Sequence, residues 1–124
     1  MKKIISLFII LLVSISLTAC GSTDSANDST ESNDSKYTAG TYSETVSGHN
    51  GDITVDVTFS DSAITDITIV EAEETEGLGD TALETVSEAI IEAQSTDVDT
   101  VSGATVSSEA LIEAVNSAIT NATK

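Results

Sequence analysis

An α+β fold, a small antiparallel sheet of about three to four strands packed with two amphipathic helices, follows from three observations on the sequence. Ile53, Val55, Val57 and Phe59 alternate with Thr54, Asp56 and Thr58, the two-residue period of a half-buried strand. A second apolar run, Ile64, Ile67 and Ile69, follows the turn-forming segment Ser60 to Ala63 and reads as its hairpin partner. Beyond Glu71 the apolar spacing lengthens to three and four residues, the mark of helices.

The chain opens on Lys2 and Lys3, followed by an apolar run from Ile4 to Val13, and residues 1–19 read as a secretory signal. That run is too short to span a bilayer. It closes on Leu17-Thr18-Ala19-Cys20-Gly21, which resembles a bacterial lipobox, so cleavage would leave Cys20 as a lipidated first residue carrying palmitate-type chains. Cys20 is the sole cysteine of the sequence, which excludes an internal disulfide, a thiolate metal cluster and thioether-linked haem. The alternative is a secreted protein with an incidental cysteine at the cleavage site. With two acyl chains, anchoring to the lipid bilayer on the extracytoplasmic face of the cell membrane is expected.

Loss of the signal removes Lys2 and Lys3 but no acid, leaving Lys36 and Lys124 against 21 acidic residues. Such a surface repels nucleic acid and anionic head groups, so no nucleic-acid partner is expected. An acidic, solvated coat is the simplest meaning of this charge, and a basic partner is the other. Residues 20–36 form the lipidated cysteine and a disordered polar tether, since Gly21 to Ser35 has no large apolar side chain to bury. The folded domain then runs over 37–122, about 85 residues, enough for one core without disulfides.

Gly40 to Val46 is a weaker strand, and Ser47 to Gly51 a flexible connection to the next. Leu83, Val86, Ile90 and Ala93 make the first helix, with Thr81 and Glu84 as its capping box. Ala110, Leu111, Ala114, Val115, Ala118 and Ile119 stripe a second helix from about Ser107 to Ile119.

Between the helices, Asp97 to Thr105 is small and polar and opens directly into the second helix. A helix start offers unpaired N–H groups and partial positive charge, which can hold a phosphate even where Lys and Arg are scarce. Gly103 permits close approach of the backbone, and Thr105 stands at the helix mouth with a free hydroxyl. On local chemistry alone the simpler reading is a plain loop with Thr105 as N-cap.

The run Asp99-x-x-Ser102-Gly103-Ala104-Thr105 resembles the D-x-x-[S/T]-G-A-T signature of the FMN-binding domain family, and Glu74-Thr75-Glu76-Gly77-Leu78-Gly79 resembles its E-T-x-G-x-G segment. Gly40-Thr41-Tyr42 and the hairpin Asp61-Ser62-Ala63-Ile64 are similar to further family features, with Ser62 where glycine is commoner. The family includes flavin-bearing components of the sodium-pumping NADH:quinone reductase and of the Rnf electron-transport complex, and small lipoproteins of Gram-positive bacteria.

The resemblance implies FMN, joined as a phosphoester to Thr105 by a flavin transferase that consumes FAD and needs a divalent metal, with no metal held by this chain. It also implies that Ser102 and Gly103 hydrogen-bond the phosphate, that Asp99 braces the loop, and that Ala104, Glu74, Thr75, Gly77, Leu78 and Gly79 lie about the flavin. Aromatic residues are few, so Leu78 and Tyr42 are the candidates to wall the ring, Tyr42 being equally a core strand residue. His49, the sole histidine, reads as a solvated loop side chain.

Three functions fit these features. One is an electron carrier between a membrane donor, such as a quinone-linked dehydrogenase, and an outer acceptor. Another is a lipoprotein binding module without flavin, and the third a reductase acting directly on a small acceptor. The sequence offers no dedicated acid, base or substrate pocket for the third.

Overall fold

The computed structural model describes residues 35–124; the signal segment, Cys20 and the tether up to residue 34 lie outside the described residues. Strands β1 (Gly40–Ser47), β2 (Asp52–Phe59) and β3 (Ile64–Ala72) precede helices α1 (Gly79–Ala93) and α2 (Thr105–Ala122). The strands form an antiparallel meander in the order β1-β2-β3. The expected α+β architecture is present, with a three-stranded sheet.

β2 is central, and its alternation is the reason: Ile53, Val55, Val57 and Phe59 point into the core and are buried throughout. β3 departs from strict alternation, since Ile64, Ile67, Ile69 and Ala72 are spaced three, two and three apart. Two register shifts resolve the mismatch. Phe59 pairs with Ile64 but Thr58 with Asp66, and Val55 pairs with Ile69 but Thr54 with Glu71, so Thr65 and Val70 are the extra residues of two bulges. Each bulge returns the next apolar side chain to the inner face, and Val70 is left 56% exposed on the strand. The outer face is polar, with hydroxyl pairs Thr41–Thr58 and Thr45–Thr54 directly opposite each other at 3.0 Å.

Both helices lie on the inner face, α2 chiefly over β1 and β2 and α1 over β3, and they also pack on each other. α1 buries Ala82, Leu83, Val86 and Ile90, and α2 buries Ala110, Leu111, Ala114, Val115 and Ala118. The small alanines let α2 sit close to the sheet. Tyr37 and Tyr42 both pack on Phe59, with ring centroids 4.8 Å and 5.6 Å away. The Tyr42 hydroxyl donates to the Thr38 carbonyl at 3.1 Å, so Tyr42 belongs to the core edge.

The first and last described segments are joined. The Thr38 amide donates to the Ala122 carbonyl at 2.7 Å, and Tyr37 bridges Thr123. Among the described residues no helix is long and apolar enough to cross a membrane.

Two local expectations are corrected. Thr81 and Glu84 form no capping box, because α1 begins earlier, at Gly79 with Leu78 as N-cap and no side-chain cap. Asp80 in the first turn instead accepts from the Thr81 amide at 2.7 Å and places a negative charge at the positive helix end. α2 likewise begins earlier, with Ala104 as N-cap and Thr105 as its first helical residue, so Thr105 is not the cap.

Candidate functional site

The two helix starts are built alike. The Leu78 amide donates to the Thr75 carbonyl at 3.1 Å, closing the turn Thr75-Glu76-Gly77-Leu78 with Gly77 at φ +73°. The Ala104 amide donates to the Val101 carbonyl at 3.0 Å, closing Val101-Ser102-Gly103-Ala104 with Gly103 at φ +87°. A positive φ at the third turn position alone is the pattern of a type II turn, which explains glycine at both places. Each turn delivers the chain straight into a helix without a side-chain cap. At α2 the amides of Thr105, Val106 and Ser107 therefore have no intrahelical acceptor and remain available to a ligand, whereas at α1 the Gly79 amide is bonded to the Thr75 carbonyl at 2.8 Å and the Thr81 amide to Asp80.

The two turns meet. Leu78 Cδ1 is 3.7 Å from where a Cβ on Gly103 would stand. Around this junction lies a cleft of about 290 Å³, lined by His49, Glu74, Thr75, Leu78, Gly79, Gly103, Ala104, Thr105, Val106 and Ser107. Thr105 is exposed at its edge. Leu78 and Val106, 44% and 49% exposed, are large apolar side chains held at the cleft rather than in the core.

Glu74 ties the walls together. Its Oε2 accepts from the Ser107 hydroxyl at 2.6 Å, and its Oε1 from the His49 amide at 2.8 Å. Beside it, Asn50 Nδ2 donates to Thr75 Oγ1 at 3.1 Å. These bonds pin the β1–β2 loop onto the β3–α1 turn, and both onto the first turn of α2. Gly79 has to be glycine on steric grounds: a Cβ there would lie 2.8 Å from the Cβ of Glu74.

The Thr105 loop has its own brace. Ser108, fully buried on α2, donates to the Ala104 carbonyl at 2.8 Å and accepts from the Val101 amide at 3.1 Å. A single hydroxyl thus fixes both ends of the glycine turn.

Of the residues singled out in the sequence, Glu74, Thr75, Leu78, Gly79, Gly103, Ala104 and Thr105 line one cleft. Gly77 and Ser102 sit in the two turns without lining it. Asp99 is exposed and borders a different groove with Thr85, Glu92, Asp97 and Thr100. Tyr42 does not reach the cleft. His49, expected to be solvated, is exposed yet lines the cleft, because Glu74 holds its backbone there. Val106, Ser107 and Ser108 carried no signal beyond adjacency to the motif, and His49 carried none. Among the described residues no group of three or more His, Cys, Asp or Glu side chains is placed to hold a metal ion.

The cleft suits a phosphorylated, planar ligand. The uncapped main-chain amides of α2 could hold an anion, and the exposed Leu78 and Val106 could wall a ring.

Comparison with known proteins finds relatives among larger proteins. Over 84 residues, 68% of this chain, it is 39% identical to a NADH:acrylate oxidoreductase of Vibrio harveyi, covering 8% of that protein. It is 36% identical over 75 residues to a urocanate reductase of Eggerthella lenta, 60% of this chain and 12% of the relative. An uncharacterized protein of Treponema pallidum is 46% identical over 76 residues, 61% of this chain and 21% of that protein. The chain thus spans about a fifth or less of the length of these relatives. Residues 48–120, from the β1–β2 loop to the last turn of α2, match the FMN-binding domain, and with both glycine turns converging on one cleft the chain belongs to that family.

Proposed function

We propose that this protein is a lipid-anchored, extracytoplasmic electron carrier whose FMN is joined through its phosphate to Thr105. The observation that carries this reading is the position of Thr105: an exposed hydroxyl on the first residue of an uncapped helix, at the edge of the cleft both glycine turns form.

The residues present fit the cofactor. The amides of Val106 and Ser107 would hold the phosphate, and Leu78 and Val106 would wall the ring. When bound, FMN supplies one- and two-electron chemistry, while the protein contributes position and electrostatics. Thr105 acts as a tether. A threonine hydroxyl is a weak nucleophile, so its activation toward the FAD pyrophosphate falls to a separate flavin transferase and its divalent metal. An ester keeps the cofactor outside the cytoplasm regardless of affinity, and acylated Cys20 keeps the domain at the membrane. The donor would be a membrane enzyme such as a quinone-linked dehydrogenase.

The names of the relatives favour a second reading, in which the domain hands electrons to a reductase that acts on a small unsaturated acid. This chain covers only 8% and 12% of those two relatives, which fits a role as the electron-delivering part.

Intact mass of protein made together with a flavin transferase tests the first reading. The expected result is a gain of one FMN residue, with in-gel fluorescence that survives denaturation. Thr105→Val should abolish both and Thr105→Ser retain part. Labelling that persists in Thr105→Val would remove the attachment site, and no labelling of the parent would favour a binding module without flavin. Cys20→Ala should release the protein from membranes with labelling intact; retention there would contradict the anchor.

A further inference from the structure

We propose that His49 is a contact residue of the flavin ring, contributed by the β1–β2 loop; the assignment rests on the reading of the cleft as the FMN site. Two observations lead to it. His49 lines the same cleft as Thr105, and it is one of only two titratable side chains that do so, Glu74 being the other. Its main chain is fixed there: Glu74 accepts from the His49 amide through one oxygen and from Ser107 through the other, so the loop is registered against the helix turn that bears Thr105. The Gly48 amide bonded to the Gly51 carbonyl at 2.7 Å and Asn50 bonded to Thr75 hold the loop closed on either side.

Glu74 has both oxygens engaged, and the remaining polar side chains of the cleft are hydroxyls. An imidazole carries at least one ring N–H donor in either protonation state and has a flat face that suits stacking. Two electrons and one proton, supplied by the membrane donor and solvent, add one negative charge to an oxidised flavin. A donor at this wall binds that reduced ring better than the oxidised one and raises its midpoint potential. One hydrogen bond of ordinary strength changes the equilibrium about tenfold, equivalent to about 30 mV for a two-electron couple.

The experiment uses the full chain, flavinylated by co-production with the transferase, as parent, His49→Ala and His49→Gln. His49 is exposed on a loop, so both variants should fold and show the same mass gain as the parent. His49→Ala is expected to lower the potential by about 30 mV and to brighten flavin fluorescence as the ring loses a wall. His49→Gln, which keeps a donor, should stay nearer the parent in potential. A full mass gain with potential and fluorescence unchanged in His49→Ala overturns the role of His49 alone. Absence of a mass gain in the parent overturns the flavin reading and this one together.

Discussion

Glu74 and Ser107 meet at 2.6 Å between the β3–α1 turn and the first turn of α2, and the carboxylate's second oxygen holds the His49 amide at 2.8 Å. One acceptor therefore joins three segments that are far apart in sequence. Glu74→Gln retains an acceptor for one donor, and the Ser107 hydroxyl can turn to accept from the new amide. Glu74→Ala removes the acceptor from both donors and leaves the part-buried Ser107 hydroxyl without it. The alanine variant should lose about 1–3 kcal/mol in urea unfolding and the glutamine variant about 1 kcal/mol or less. Hydrogen exchange at the His49 amide should accelerate much more in the alanine variant. The opposite order of the two would show that the carboxylate does not organise the loop.

Ser108→Ala should destabilise by about 1 kcal/mol, because the half-buried Val101 amide loses the fully buried hydroxyl that serves as its acceptor. Labelling at Thr105 should fall with it, since the same hydroxyl also binds the Ala104 carbonyl. Equilibrium unfolding and intact mass measure the two effects, and a variant as stable and as fully labelled as the parent would contradict the brace.

The cleft glycines should separate into two kinds. Alanine at Gly77 meets no atom within 4 Å, and at Gly103 only Leu78 Cδ1 at 3.7 Å, so each substitution costs only the positive φ, about 1–2 kcal/mol. Gly79→Ala collides with Glu74 near its backbone and must displace it. Loss of His49 amide protection is therefore expected in Gly79→Ala and not in Gly77→Ala, as read by hydrogen exchange.

Gln94 sets two effects against each other. It ends α1 in the left-handed region at φ 53°, where glycine would relieve about 1 kcal/mol. Its side chain, however, accepts from the Ile64 amide at 2.8 Å and donates to the carbonyls of Ile64 and Ile91 at 2.8 Å and 2.7 Å. Three bonds of about 1 kcal/mol each outweigh the relief, so Gln94→Gly should destabilise by about 2 kcal/mol. A gain in thermal midpoint would show that backbone strain dominates.

The strand period over Ile53 to Phe59 and the helical stripe from Ala110 to Ile119 are legible in the sequence because each element buries one continuous face. β3 is legible only in part: its inward residues lose strict alternation at bulges that long-range pairing, and no local signal, creates. The capping box at Thr81 fails for a related reason. The spacing is right, but the turn centred on Gly77 starts the helix three residues sooner, with Leu78 and not Thr81 as N-cap. At the candidate site, Gly103 and Gly77 announce themselves as turn residues next to helices. His49 does not, since what brings it to the cleft is a hydrogen bond from residue 49 to residue 74. Ser108 is equally silent in the sequence, one serine among many, and only its burial reveals what it holds.

α2 begins on bare main chain, with no side chain closing its first turn. A donor of that kind cannot be deleted by drift in side-chain identity. Proline alone removes a backbone N–H, and only glycine comfortably sustains the turns that aim these groups. A lineage can therefore rewrite nearly all of this acidic surface and keep these amides open to the cleft so long as the turn glycine and a run free of proline endure.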